Sequence, residues 1–457
     1  MRMEEYMEKL ISQIRCKKAR PYIEREIKNH IEEQIAFNKS KGMSDEEAEK
    51  NAVMDMGDPI EVGISMDKIH KPQLSLRLLA VVGILSVFGI MVQYSIFQVM
   101  KLQPQGQDTY GQDLAGFVTS IILGLTIMCG IYFIDYTVIA KYAKIIGLLI
   151  LFAGIIFLTG LFGESISGSY YFLGFRRLRF SVSALMMLYV PIYGGILYKY
   201  RDGGKKAFFK AILWMIVPIV ITFRMPNFVV AGILLIGMLV LLTASLIKGW
   251  FQMSVKRTIV CLWAGFMVLP MVMLFVMYSC HLLADYQVAR IRSFYLASGD
   301  GFYMTSMLRT LCENIPWIGK SGKDVVGRLP EFNTDYIFSY ILNSYGSIAG
   351  MVVIAMLAVL VMVIFGASIK QKNELGMMMG FGCGMIFLLN ILINLLCTMG
   401  VIPPASAFLP FLSVGKSNII LSYALIGMVM SIYRYKDVYP RNVVDKVRLK
   451  KSLDINL

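Results

Sequence analysis

The sequence predicts an all-α, polytopic membrane protein with about ten transmembrane helices and a small cytoplasmic N-terminal helical domain. Three observations predict it. Hydrophobic residues fill 57% of 457 positions, charged residues only 16%, and mean hydropathy is +0.63, a composition far from that of soluble chains. Apolar stretches of roughly 18 to 22 residues, enough to cross ~30 Å of hydrocarbon as helices, recur along most of the chain. Lysine and arginine collect in alternate short loops, as cytoplasmic loops do.

Residues 1–72 form the first expected unit, with nearly balanced charges and apolar residues at helical spacing. Met7, Leu10, Ile11 and Ile14 make one stripe. Ile23, Ile27, Ile31 and Ile35 make a second, behind Pro21 in a first helical turn. Lys39 to Gly42 break the pattern; Ser44 and Glu47 have capping-box spacing for a third helix, and Gly57-Asp58-Pro59 ends it and begins another turn. GMSDEEA and MGDP resemble the helical prefix ahead of many permeases and cell-wall proteins of Gram-positive bacteria. That resemblance implies an interaction role, with a cytoplasmic regulator as partner; a solvated bundle without a specific partner is the other reading.

Ten spans are expected near 78–97, 114–134, 145–163, 181–198, 208–223, 228–247, 258–279, 347–367, 376–399 and 417–433, within a membrane domain over 73–436. With the N-terminus inside, the inner loops carry Lys141 and Lys144, then Lys199, Arg201, Lys205 and Lys206, then Lys248, Lys256 and Arg257, then Lys370 and Lys372. A basic cytoplasmic tail, 437–457, puts both termini on the same side. Topology thus accounts for much of the +15 net charge, and a nucleic-acid partner is not expected. Arg176, Arg177 and Arg179 fall outside, against the rule: either they bind an anion there or one span lies elsewhere than expected. The charged first 70 residues leave no cleavable signal peptide to expect.

The spans lack the ionisable residues that coupled transport needs near the bilayer centre: Asp135 and Glu164 sit at span ends and Arg224 in a turn. Seven cysteines and three widely scattered histidines give no metal spacing; Cys280 and Cys312 share one outer loop, where a disulfide stays open. Polar residues gather in that loop, about 280–346, which is too long for a mere connection.

Within it stand YQVARI (Tyr286–Ile291), GDGF (Gly299–Phe302), IGKSG (Ile318–Gly322) and LPEFNTDYIF (Leu329–Phe338); LPFLSVGKSN (Leu409–Asn418) precedes the last span. In order and content these resemble the SEDS family, the FtsW, RodA and SpoVE proteins. Membership implies a peptidoglycan glycosyltransferase that polymerises lipid II at the outer face of the cytoplasmic membrane, in cell division, elongation or sporulation. It also implies a class B penicillin-binding protein as partner. The family's catalytic aspartate matches Asp335, while Glu331, Thr334, Gln287, Arg290, Ser413, Lys416 and Ser417 fall in the matching motifs as substrate-binding candidates. Chemistry agrees: a carboxylate can take the proton of an attacking sugar hydroxyl. Cations, from Arg290 and Lys416 with Arg177 and Arg179 behind them or from Mg²⁺ or Mn²⁺, suit a departing pyrophosphate.

Plainer readings exist for the same residues. Thr334 and Asp335 precede an apolar run, as N-caps do. Arg290 has Asp285 and Asp300 to pair with, and Lys416 fits an interfacial lysine. The chain also departs from the family. Asn333 replaces a histidine, Ala184 and Met187 replace a Glu and a Lys, Asn227 an Asp, Val229-Val230 a Gly-Thr, Asn343-Ser344 a Glu-Glu, Val414 a Tyr and Lys416 a Gly. These losses leave two alternatives open: a catalytically inactive scaffold that binds lipid-linked precursor and a penicillin-binding protein, and a lipid II flippase.

Overall fold

Four short helices open the chain: α1 (Met3–Ser12), α2 (Arg20–Ser40), α3 (Asp45–Asp55) and α4 (Pro59–Ile69). The computed structural model describes residues 1–101, 107–158, 163–166, 169–175, 178–225, 228–281, 288 and 300–439. The expected stripes face inward, with Leu10, Ile14, Ile23, Ile27 and Ile31 buried; the second ends at buried Asn38, Ile35 being only half-buried. Ser44 caps α3 by accepting from the Glu47 amide at 3.4 Å, and its hydroxyl donates to the Glu47 carboxylate at 2.9 Å in place of the reciprocal backbone bond of a full capping box. Asp58 caps α4 by accepting from the Ile60 amide at 3.2 Å. Asp67 closes the bundle: it accepts from the Arg15 amide and from its guanidinium, each at 2.8 Å. Burial alone would raise the Asp67 carboxyl; the Arg15 contacts outweigh it and hold the carboxyl low.

One compact unit joins residues 1–75 with 369–377 and, among the described residues, the segment from 432 to 439. His70 Nδ1 donates to the Asp437 carbonyl at 2.5 Å, the Gln73 amide donates to the Arg434 carbonyl at 3.0 Å, and the Gln73 side chain donates to the Asp437 carboxylate at 3.1 Å. Lys18 reaches the Tyr435 hydroxyl, and Tyr22 meets Tyr439 edge to face at 5.8 Å. Gln371 donates to the Ile432 carbonyl at 2.7 Å.

The second unit, 76–368 with 378–431, holds the membrane helices. They are α5 (Leu76–Lys101), α6 (Gln107–Phe133), the short α7 (Tyr136–Lys141), α8 (Ala143–Leu158), α9 (Val182–Met187), α10 (Tyr189–Lys199), α11 (Gly204–Arg224), α12 (Phe228–Ile247) and α13 (Val255–Ser279). After α14 (Asp300–Cys312) and α15 (Ile337–Tyr345) come α16 (Ser347–Ile369), α17 (Glu374–Thr398) and α18 (Lys416–Arg434). Among the described residues eight helical spans are long and apolar enough to cross a membrane, α9 and α10 counting as one; α8 is a shorter apolar helix. The 25-residue α13 falls on the seventh expected span. In α18, 78% of the apolar window is buried, against 28% in α6, so α18 is central and α6 peripheral.

The all-α membrane fold holds, with one small sheet added in a connection between spans. After α8, whose described residues run to Leu158, β1 (Gly163–Ile166), β2 (Ser169–Phe175) and β3 (Leu178–Ser181) form an antiparallel sheet in the order β1-β2-β3. The aromatic run Ser169–Phe175 suits a pleated ribbon better than a helix.

Candidate active site

The segment Leu329–Phe338 leads into α15. Glu331 adopts a left-handed φ of 56°, and its carbonyl accepts from the amides of Thr334 and Tyr336, both at 3.1 Å. The Thr334 hydroxyl donates to the Glu331 carboxylate at 2.5 Å. α15 begins at Ile337 with Tyr336 as N-cap and no side-chain cap bond, so Thr334 and Asp335 are not capping residues. The Glu331 turn satisfies the local amides with a carbonyl, which leaves the Asp335 carboxylate for other partners.

Three successive carbonyls of this turn are held from elsewhere in the unit. Asn333 O accepts from Gln93 of α5 at 3.3 Å and from the Val414 amide at 3.0 Å. Thr334 O accepts from the Ser413 hydroxyl at 2.7 Å, and Asp335 O from the Asn394 amide of α17 at 2.7 Å. The same donors bind at or just before the second motif: Gln93 reaches Leu412 O at 2.8 Å, and Asn394 reaches Ala407 O at 2.6 Å. Gln93 thus ties LPEFNTD directly to LPFLSVG, and Asn394 ties it to Ala407, two residues before the second motif. Each motif turn also contains a left-handed non-glycine residue, Glu331 and Phe411, a strain that clusters at functional sites. Gly89 of α5 lets Phe411 approach, since a Cβ there would lie 2.0 Å from the Phe411 carbonyl oxygen.

Asp335 is half-buried, and burial raises its carboxyl to about 6; a hydrogen bond from Ser406 opposes the rise and the Glu331 charge adds to it. Such a group is ionised at neutral pH yet basic enough to accept a proton.

The other predicted residues divide. Glu331 and Thr334 share the Asp335 turn, Glu331 exposed and Thr334 half-buried. Ser413 and Ser417 are buried and have partners within the chain: Ser413 the Thr334 carbonyl and the Leu409 amide, Ser417 the Ser181 amide at 2.8 Å. Lys416 is exposed, in the first turn of α18. Gln287 and Arg290 lie outside the described residues, as do Arg176 and Arg177; for Arg179 only its backbone in β3 is described. Cys280 and Cys312 are free, and Cys312 Sγ donates to the Thr398 carbonyl at 3.3 Å, so they form no disulfide. Among the described residues no group of three or more metal-ligating side chains occurs; Glu331 and Asp335 are a pair.

Gln93, Asn394 and Ser406 escaped sequence reasoning. The first two carried a signal, since a side-chain amide inside an apolar span marks a buried polar function. Ser406 carried none. Two departures from the family also find their places. Met187 Sδ receives the Asn390 amide at 3.6 Å, and Asn343 accepts from Ser321 of the IGKSG loop at 2.6 Å.

Comparisons with known proteins agree with this architecture. The family described as cell cycle protein, FtsW/RodA/SpoVE, matches residues 76–438. A probable peptidoglycan glycosyltransferase FtsW of Enterococcus hirae is 26% identical over 388 residues, covering 81% of this chain and 95% of that protein. One from Geobacter sulfurreducens is 22% identical over 394 residues, covering 82% and 98%. Among solved structures, a peptidoglycan synthase complex that couples polymerization and crosslinking has a chain superposing with a TM-score of 0.64 at 18% identity, covering 80% of this chain and 98% of that one. The rod shape determining protein RodA of Thermus thermophilus gives 0.55 at 15%, covering 79% and 97%. At those identities the structures speak for the fold alone.

Proposed function

Because this chain belongs to the FtsW/RodA/SpoVE family of cell cycle proteins, we propose that it is a peptidoglycan glycosyltransferase that polymerises lipid II at the outer face of the bacterial cytoplasmic membrane. The observation that carries the proposal is Asp335, a carboxylate raised to about 6 on a turn whose backbone is held at three consecutive carbonyls. A sugar hydroxyl of the acceptor attacks the anomeric carbon of the donor. The hydroxyl proton passes to Asp335, the new glycosidic bond forms, and the bond to the polyprenyl pyrophosphate breaks with its electrons leaving on phosphate. A base on a fixed backbone keeps the near-attack geometry from which such a reaction gains most.

The leaving pyrophosphate needs positive charge. Exposed Lys416 supplies one cation; Arg290, Arg177 and Arg179, whose side chains lie outside the described residues, are the further candidates. Mg²⁺ or Mn²⁺ commonly binds through one or two carboxylates plus substrate phosphates, and Glu331 is the side chain that fits such an ion here, its role being charge neutralisation. Serving division, elongation or sporulation, the enzyme works with a class B penicillin-binding protein. Its basic loops put both termini in the cytoplasm, where residues 1–72 receive a regulator.

The test is polymerisation of purified lipid II by the detergent-solubilised protein, with and without the penicillin-binding partner, comparing wild type with Asp335→Ala. Polymer that depends on Asp335 supports the enzyme. The replacements at Ala184, Met187 and Asn333 favour a precursor-binding scaffold instead, and Asp335→Ala complementing a deletion strain would establish that reading.

A further inference from the structure

Trp317 and Ile318, in the loop between α14 and α15, are 71% and 78% exposed. Leaving such side chains in water forgoes the stabilisation that burying their apolar surface would give. Their backbone is fixed on both sides. Pro316 O accepts from the Ser347 amide at 2.9 Å and Trp317 O from the Ile348 amide at 3.1 Å; these are first-turn amides of α16 that the helix itself cannot satisfy. Gly319 N then donates to Tyr345 O at 3.2 Å and Ser321 N to Asn343 O at 2.9 Å. Gly346 permits the close passage: its φ is 94°, and a Cβ there would lie 2.7 Å from Trp317 O.

The pair is therefore held at the first turn of α16, a span of mean hydropathy 3.1. The end of a span lies at the boundary of hydrocarbon and headgroups, where tryptophan belongs. Exposed Ile348, Met351 and Val352 continue the apolar surface along α16, and exposed Lys320 offers an ammonium beside it. Lys323, by contrast, donates to the Thr310 and Glu313 carbonyls at the end of α14. We propose that Trp317, Ile318 and Lys320 form a membrane-interface anchor, the two apolar side chains seated among the acyl-chain ends of the leaflet on the Asp335 side and the lysine on lipid phosphates. Phospholipid is the occupant because the patch is continuous with the lipid-facing side of a span and carries a cation at its rim. The anchor keeps the Asp335 turn at the lipid surface, where a polyprenyl-linked substrate presents its pyrophosphate; only this last point rests on the glycosyltransferase reading.

The test needs no activity. The full chain, as wild type and as Trp317→Phe, is placed in nanodiscs of zwitterionic phosphatidylcholine, whose surface does not repel iodide, and the fluorescence difference isolates Trp317. Lipids brominated near the carbonyl end of the acyl chain are expected to quench that difference at least roughly twofold more than aqueous iodide does, as an interfacial ring requires. Quenching by iodide instead would overturn the anchor, and quenching by neither would assign the patch to a protein contact and overturn it equally. Trp317→Tyr serves as the second subtraction if the phenylalanine variant is not monodisperse. Lipid II polymerisation by the same samples reports separately on the glycosyltransferase reading.

Discussion

Asn394 holds the Asp335 carbonyl at 2.7 Å and the Ala407 carbonyl at 2.6 Å through one side-chain nitrogen. Both of its hydrogens are committed to backbone carbonyls, so the residue joins the Asp335 turn to the segment just before Leu409. Asn394→Ala is expected to reduce polymerisation on the order of 10²-fold, as small misplacements of a base do, with stability lowered by about 1–3 kcal/mol for the buried carbonyls left unpaired. Asn394→Asp, which at neutral pH cannot donate to either carbonyl, should behave the same way. Single-turnover rates on purified lipid II decide, and wild-type rates in both variants would remove Asn394 as a positioning residue.

Asp335→Asn should abolish polymerisation and, at neutral pH, raise rather than lower the thermal midpoint. The sign comes from burial. A carboxyl raised from 3.8 to about 6 in the folded protein binds more protons folded than unfolded between those values, so stability falls as pH climbs through that window and stays lower above it. An uncharged amide escapes this loss. Thermal unfolding of the two proteins at pH 7.5 measures it, and a marked drop in the variant would contradict the assignment.

Turnover should rise with pH along a limb near 6, because the base works deprotonated. Ser406→Ala removes a bond that favours the charged form and moves the limb upward; Glu331→Gln removes a repelling charge and moves it downward. The opposite directions are the diagnostic, since general damage to folding would lower the rate without moving either limb.

Gly89→Ala is expected to cost roughly 1–3 kcal/mol, since its methyl group would meet backbone rather than a movable side chain. A thermal midpoint equal to wild type would mean that α5 can draw back from Phe411.

In the cytoplasmic unit, Asp67→Ala leaves the Arg15 amide without its acceptor and should loosen α4, at about 1–2 kcal/mol given that the Arg15 side chain is mostly solvated. Limited proteolysis of the full chain should then cut first within residues 56–75.

Much of this molecule was legible beforehand because its spans are set by hydropathy, which is local. The N-cap at Ser44 and the isoleucine stripe of α2 were readable for the same reason: their partners lie within a few turns. Asp335 stood out through its motif, but its plain reading as a cap failed because Glu331, rather than a capping side chain, closes the turn. Gln93 and Asn394 were visible only as polar residues in apolar helices; their shared task depends on contacts 240 and 59 residues distant in sequence. The strands after α8 were missed because they are short, 4, 7 and 4 residues, and fall almost wholly in the connection between two expected spans.

The bond between His70 and Asp437 spans 367 residues, and this sets an order of events during synthesis. At about 5–20 residues per second, roughly 20–70 s separate the two residues on the ribosome. Helices α1 to α4 are finished early, yet the segment that completes their unit is made only after every membrane helix. A partner that meets the nascent prefix therefore finds an uncovered surface that the mature protein no longer offers, and closure of the unit marks a chain whose last span is in place.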